Sequence, residues 1–420
     1  MQNRRQFLTR LVLAGAAASV PGLLAACGED QPAAGGANGK ASGEPIRIGG
    51  MWLLSGALSA YGDFAREGAD LAVSQINEAG GVAGRPIEML YAHEGSADDV
   101  VQVARRLAFQ EEVDFLMGID SSGTAQALAP NVPDLGKVLM LTHAASGKLT
   151  GELCNRFVFR CSVNIPQNTY AAAAIAAEEY PDITQWATVG PDYAFGYEVW
   201  ENFQAQLLER NPDATFTEPI YPPFGNEDFS SHIGQALDSG APGLLVSVWG
   251  ADLVNFVRQA ADFGLFEQVT PVFMLGAAME VLEGAGDLMP TGFWAGTRYW
   301  WGVPETDVNS SFVEAYRQAY DHPPSYNAQG AYTGVQMLAR AVEEAGGTET
   351  DAVIEALEGM EYEAPQGPTL IRPEDHQAVV DVTWGVLAEG DEGFRVLEPT
   401  RVFPGAEAIP DVSETGCEMA

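Results

Sequence analysis

The sequence predicts an α/β fold in two lobes, each a parallel sheet flanked by helices, and three observations predict it. Short apolar runs alternate with longer amphipathic ones from Pro45 onward, and the same rhythm restarts after residue 160. Such alternation makes parallel strands, because each helix carries the chain back to the edge where the next strand begins. Residues 308–358 then read as helix after helix before strand patterns return near the end, so the chain crosses back between lobes. At 420 residues it is too long for one small core and long enough for two.

The elements justify this in order. "IRIGGMWL" is strand-like, and "AREGADLAVSQINEA" puts Ala65, Ala69, Ala72, Val73 and Ile76 on one helical face. "GGVAGRP" breaks that helix, and "IEMLYA" is the next strand. "ADDVVQVARRLAFQE" is a helix opened by acids, which suits the positive end of its dipole, and "VDFLMGI" follows. The second series predicts helices near 167–179, 196–209, 229–238 and 252–263, spaced by the strands "QWATVG", "ATFTEPIY", "GLLVSVW" and "PVFMLG". "YTGVQMLARAVEEAG" is a late helix, and "PTLIRPE", "AVVDVTWGVLA" and "FRVLE" are late strands. Ligands of open α/β sheets bind beyond the carboxyl ends of the strands, and two lobes would bring two such ends together across a cleft.

The amino terminus points to export. Arg4 and Arg5 precede a modest apolar run rich in Ala and Gly, too short to span a bilayer, and small residues lead to Cys27. The arginine pair followed by Gln6, Phe7 and Leu8 resembles a twin-arginine export signal. "LLAAC" resembles a lipoprotein processing box in which Cys27 takes the lipid; an ordinary cleaved signal is the alternative. Residues 1–26 are thus read as the export signal and 27–44 as a flexible tether, since "GEDQPAAGGANGKASGE" offers nothing to build a core. The expected location is the periplasm or the outer face of the cytoplasmic membrane, held by the lipid anchor alone.

Charge narrows the partners. The chain has 21 basic and 58 acidic residues; loss of Arg4, Arg5 and Arg10 with the leader leaves 18 against 58, a formal −40. Only Lys40, Lys137 and Lys148 are lysines. Such a surface repels nucleic acid and anionic lipid. It also repels itself unless salt shortens the screening length to about 3 Å at molar ionic strength. A host living in high salt is one reading, an acidic secreted protein the other.

Export permits disulfides, and Cys154 with Cys161 is the expected pair; closure needs a turn between Cys154 and the strand-like "FVF". No CxxC, HExxH or clustered His/Cys spacing occurs, so neither a metal nor a cofactor is expected. A serine hydrolase would want GxSxG where "GIDSSG" stands, and a dinucleotide enzyme GxGxxG where "IGGMWLLSG" stands. "GGANGKA" lies in the tether and lacks the spacing of a phosphate loop. An enzyme is not expected.

Two adjacent serines after "LMGID" remain to be explained. Ser121 and Ser122 before a helix are helix caps on one reading. On the other, their hydroxyls and the N–H groups beside Gly123 point into one space and hold an anion. Ser146 is a turn serine or a ligand contact, and His143 is read as structural. Trp249 ends "GLLVSVW", where core and cleft compete; Tyr193 and Phe195 flank a turn, with one of them facing the ligand. Tyr61, in a loop after "SGALSA", is read as a contact, and "TRYWWG" (297–302) as a crossover strand.

Taken together, these segments resemble the periplasmic binding proteins of branched-chain amino acid ABC transporters, the leucine/isoleucine/valine-binding type, over residues 46 to 403. "LLSGALSAYGDFAREGADLAVSQINEAGGVAGRPIEM" is similar to that family's first strand, loop and helix. "LMGIDSSGTAQALAP" with "VLMLTHAAS" is similar to its ligand-binding loops, and "PDYAFGYE" and "RQAADFGL" to its second lobe. "IRPEDHQA" resembles a late segment of relatives that bind hydrophobic compounds. The resemblance implies a type I fold: lobe 1 from 46–162 plus 298–382, lobe 2 from 163–297 plus 383–403, and a tail over 404–420. Hinges are expected near 161–164, 296–299 and 382–385.

It implies a monomer that hands a small solute, a branched-chain amino acid or a related hydrophobic carboxylate or amide, to a membrane ABC permease. Ser121 and Ser122 fall on the hydroxyl-bearing loop, and Ala144, Ala145 and Ser146 on the loop offering backbone groups. Tyr61, Phe195 and Trp249 fall on aromatic contacts. The acid that holds a ligand ammonium falls at Ala277, where an apolar residue cannot neutralise it; Asp120 and Glu280 lie near in sequence. That departure favours a hydrophobic or aromatic carboxylate over a zwitterion.

Overall fold

The computed structural model, which describes residues 41–419, holds one wholly parallel sheet and one that is parallel except for its last two strands, each in its own lobe. The export signal, Cys27 and the tether up to residue 40 lie outside the described residues. The tether expected to reach residue 44 ends sooner: the N–H groups of Ser42 and Gly43 both donate to the Gly84 carbonyl at 3.0 Å.

The first lobe runs β1 (Ile46–Trp52), α1 (Ser59–Glu78), β2 (Ile87–His93), α2 (Val100–Phe109), β3 (Phe115–Gly118), α3 (Ser122–Leu128), α4 (Val132–Leu135), β4 (Leu139–Leu141) and β5 (Val158–Arg160). Its sheet is parallel throughout, in the order β2-β1-β3-β4-β5. The second lobe continues with α5 (Ile165–Glu179), β6 (Gln185–Val189), α6 (Ala194–Arg210), β7 (Thr215–Phe216), α7 (Ser230–Asp238), β8 (Gly243–Val246), α8 (Ala251–Asp262), α9 (Leu265–Gln268), β9 (Val272–Met274), α10 (Met279–Ala285) and β10 (Trp294–Gly296). The helices α11 (Asp307–Tyr320), α12 (Tyr326–Ala345) and α13 (Thr350–Leu357) then return to the first lobe, where α12 lies along α1. Small residues on α1 make that approach possible, since a Cβ on Gly68 would stand 1.9 Å from the Ala328 carbonyl oxygen.

A small antiparallel sheet of β11 (Glu361–Ala364), β12 (Gly367–Ile371) and β13 (Ala378–Val379) precedes β14 (Val382–Ala388) and β15 (Val396–Phe403). Those last two strands close the second sheet, ordered β15-β14-β10-β9-β8-β6-β7, with β14 antiparallel to both neighbours. The chain therefore passes between lobes at 161–164, after β10, and at 380–381. The third passage lies just before the 382–385 expected, because β14 is already paired from Val382.

Buried polar groups tie these passages together. Asn164 caps α5 in a reciprocal box with Gln167, satisfying two of the helix's free N–H groups. Gln377, from "IRPEDHQA", accepts from Arg160 Nη1 at 2.8 Å and donates to the Ser162 carbonyl at 2.9 Å.

The disulfide expectation is corrected. Cys154 bonds to Cys417, with Cα atoms 5.6 Å apart, and Cys161 is a buried free thiol. No turn brings Cys161 back to Cys154: β5 runs extended between them and carries Cys161 past its far end, where its Sγ faces the Leu141 and Gly330 carbonyls. The expected tail is folded instead. α14 (Gly405–Ala408) packs on α5, and α15 (Val412–Thr415) packs on the turn at Gly147–Thr150 of the first lobe.

Candidate functional site

The first wall of the cleft is the turn from β3 into α3. Gly118 has φ +113°, and Ile119 follows at φ +63°, a left-handed conformation that a β-branched residue rarely adopts. The Ile119 N–H bonded to the Met51 carbonyl (2.6 Å) and the Ala144 N–H bonded to the Ile119 carbonyl (2.9 Å) hold it there. The turn directs the next N–H groups at Glu94, whose carboxylate accepts from Asp120 N (2.6 Å) and Ser121 N (3.2 Å). Burial raises the Glu94 carboxyl well above its ordinary range, and neighbouring Asp120 adds to the rise.

Both oxygens of Asp120 are engaged. Oδ2 accepts from the Leu53 N–H at 2.6 Å, and Oδ1 lies 2.5 Å from His143 Nδ1. With Nδ1 assigned as the donor to Asp120 Oδ1, Nε2 is left without the proton, and burial lowers the His143 pKa and favours the neutral ring. Its Nε2 is buried without a partner and makes no bond to Ser122. Ser122 Oγ instead accepts the N–H groups of Ala145 (3.3 Å) and Ser146 (3.2 Å), leaving its own hydrogen to give. The base–nucleophile contact a hydrolase needs is therefore missing between these groups.

A cation completes this wall. Arg298, just past β10 and at φ +60°, donates from Nη1 to the His143 carbonyl at 2.8 Å and lies 4.9 Å over the Tyr326 ring. Its Nε is buried with no acceptor. The second lobe supplies the opposite wall: Tyr193 and Phe195 at the start of α6, Trp249 after β8, and Leu275 and Gly276 after β9. Gly250 has φ +60°, and a Cβ there would meet Leu58 of the first lobe at 2.3 Å, so the lobes touch at glycine. Tyr61 bridges them, edge-on to Trp249 at 4.9 Å and donating to the Gly276 carbonyl at 3.4 Å.

These groups enclose about 360 Å³ of empty space, partly open to solvent. Of this only about 20 Å³ admits the centre of a water molecule, so the lobes stand closed on one another.

Of the residues expected at the site, Tyr61, Ser122, Ala145, Tyr193, Phe195 and Trp249 line this cavity. Ser121, Ala144, Ser146 and Ala277 do not. Ser121 occupies the N-cap position of α3 without making a cap hydrogen bond. Ala144 and Ala277 are fully buried in the core. Ser146 donates its hydroxyl to Glu198 of the second lobe at 2.6 Å. Asp120, named with Glu280 as a possible stand-in for the missing acid, lines the cavity while Glu280 does not; His143, Arg298, Tyr326 and Asn327 were not expected there. One signal pointed at Arg298: a lone cation inside the apolar "TRYWWG", in a chain with only 21 basic residues.

Glu280 sits in the first turn of α10 and hydrogen-bonds Asn327. Burial pushes its carboxyl up to about 8, so it is largely neutral at pH 7. Among the described residues no cluster of His, Cys, Asp and Glu could hold a metal, and no helix is long and apolar enough to cross a membrane.

The chain matches the periplasmic binding protein family over residues 45–391. It is 24% identical to Leu/Ile/Val-binding protein homolog 6 of Brucella melitensis over 380 residues, covering 86% of this chain and 94% of that one. Its fold is similar to an amino acid ABC transporter substrate-binding protein from Pseudomonas fluorescens, with TM-score 0.79 and 26% identity over 90% of this chain and all of that one. It is also similar to a solute binding protein of an ABC transporter from Rhodopseudomonas palustris in complex with 3,4-dihydroxybenzoic acid. There the TM-score is 0.78 and the identity 23%, over 88% and 99% of the two chains.

Proposed function

The chain belongs to the periplasmic binding protein family, and from that premise we propose that it captures a small aromatic or hydrophobic carboxylate for an ABC importer. On this reading Cys27 anchors it by lipid outside the cytoplasmic membrane and it works as a monomer. Periplasmic binding proteins of ABC transporters bind solute by closing two lobes, and the touching lobes here are the arrangement such a cycle ends in.

The observation that carries the solute class is Arg298. Its buried Nε lacks an acceptor in a cavity walled by Tyr61, Tyr193, Phe195, Trp249 and Tyr326. A carboxylate supplies that acceptor in a charge-assisted bond, the Ser122 hydroxyl can give a second, and the rings cover the apolar body. His143 Nε2 would accept from a hydroxyl on the solute, in keeping with the dihydroxybenzoic acid held by the Rhodopseudomonas protein.

A branched-chain amino acid is the second reading, favoured by the names of the relatives and by the unpartnered Oε2 of Glu280. It requires Glu280 to ionise, against the burial that holds it at about 8, while Asp120 has both oxygens occupied. Calorimetry with benzoate tests the first reading. Arg298→Ala should weaken benzoate binding by about 2–3 kcal/mol, the loss of charged hydrogen bonds. Arg298→Lys should recover only part, because it keeps the charge without the planar fork. Equal affinity in all three proteins would remove Arg298 from the site.

A further inference from the structure

Outside the solute cavity, one buried carboxylate of the second lobe takes several donors of the first. Glu198 lies in the second turn of α6 and is 6% exposed, yet it lines none of the solute cavity. Its Oε1 accepts from the Ser146 hydroxyl at 2.6 Å and from Gln126 Nε2 at 2.7 Å; its Oε2 accepts from the Gly147 N–H at 2.9 Å. All three donors belong to the first lobe, on α3 and on the loop after β4. Gln126 Nε2 also reaches Ser146 Oγ at 2.7 Å, so the donors form one preset cluster. Arg160 Nη2 holds that loop from behind through the Ser146 carbonyl at 2.6 Å. The approach is tight, since a Cβ on Gly147 would lie 3.0 Å from Pro166 at the start of α5.

We propose that Glu198 is a positioning residue for solute capture: a latch that the first lobe's donors engage only when the cleft closes. Opening breaks three bonds to a charged acceptor at once, and each is exchanged for water only as the lobes part. The latch therefore shifts the open–closed equilibrium toward closed by its differential interaction with the two states. It sets how long solute stays without touching it. Part of the closed population exists before solute arrives, and weakening the latch raises the release rate more than the capture rate.

The test measures lobe separation directly. Spin labels at Gln102→Cys on α2 and Glu209→Cys on α6, in the full chain carrying Cys27→Ser, report the interlobe distance by double electron–electron resonance. Without solute, the parent should show a closed-distance population, and Glu198→Ala should move it to the open distance. Ser146→Ala should move part of it, and adding Ser146→Ala to Glu198→Ala should change nothing further, since the two share one contact across lobes. Identical distributions in parent and Glu198→Ala, or additive effects of the two substitutions, would overturn the latch. Where Glu198→Ala lowers folding yield, Gln126→Ala provides the same readout from the other lobe.

A second arm rests on the carboxylate reading above. Glu198→Ala should weaken benzoate and 4-hydroxybenzoate by the same factor, about tenfold, mostly through faster release. A changed ratio between the two would place Glu198 against the solute and end its role as a latch. Failure of the parent to bind either acid would count against the carboxylate reading alone, and the label distances would still decide the latch.

Discussion

Glu280 is the residue whose protonation most separates the two solute readings, and it yields a signed pH prediction. An acid held at about 8 when folded keeps its proton where the unfolded chain, at its ordinary value near 4.5, has lost it. Stability then falls as pH rises between those two values, because the unfolded state binds fewer protons. Glu280→Gln should remove that slope: the variant should gain on the parent by up to a few kcal/mol between about pH 5 and 8 in thermal melts. A constant difference across the range would mean that Glu280 is ionised in the fold. Residues of this kind were only half legible in sequence. Ser122, Tyr61 and Trp249 line the cavity as expected, but Tyr61 does so from the first turn of α1 rather than from the loop expected, and Ser122 from the first turn of α3. Arg298 was only hinted at by its lone charge within "TRYWWG", because it reaches the cavity by a left-handed bend after β10 that no local pattern announces. Ser146 fits its reading as a turn serine, capping the turn through the Lys148 N–H, but its bond to Glu198, 52 residues away on the other lobe, was not legible.

Strand–helix order was legible because each helix buries one stripe and each parallel strand is a short apolar run, both visible within a dozen residues. The helix expected over 167–179 spans Ile165–Glu179, and that expected over 252–263 spans Ala251–Asp262. Contacts between distant elements were not legible. Cys154 and Cys417 are 263 residues apart, and what joins them is the docking of α15 on the turn at Gly147–Thr150. The tail thereby passes from β15 in the second lobe to the first, a fourth connection that is fixed covalently. Cys417→Ser should destabilise the protein by about 2–5 kcal/mol, as expected for a native cross-link closing a long loop. Non-reducing peptide maps should show Cys154 joined to Cys417 with Cys161 free. A Cys154–Cys161 peptide, or an unchanged melting temperature in Cys417→Ser, would contradict this placement.

At the scale of the whole molecule the charge dominates. The chain carries a formal −37, and its arginines are largely spent on local pairs such as Arg47–Glu88 and Arg340–Glu344. Exposed pairs contribute little each, so they leave the general repulsion in place. Melting temperature should therefore rise from about 0.1 M to about 1 M potassium chloride, as the screening length falls from about 10 Å to about 3 Å. A flat response would show that the acids are spaced widely enough to need no screening. The central proposal concerns the solute: a cleft with an unpartnered Arg298 Nε, a neutral Glu280 and an Asp120 already satisfied would take a carboxylate and leave an ammonium without a partner. Calorimetry of the full chain with 4-methylpentanoate and with leucine, which differ in the ammonium, tests it most directly. The account predicts that 4-methylpentanoate binds and that leucine binds at least about 100-fold more weakly, the cost of roughly 3 kcal/mol for the unpaired charge. Tight binding of leucine with none of 4-methylpentanoate would contradict it.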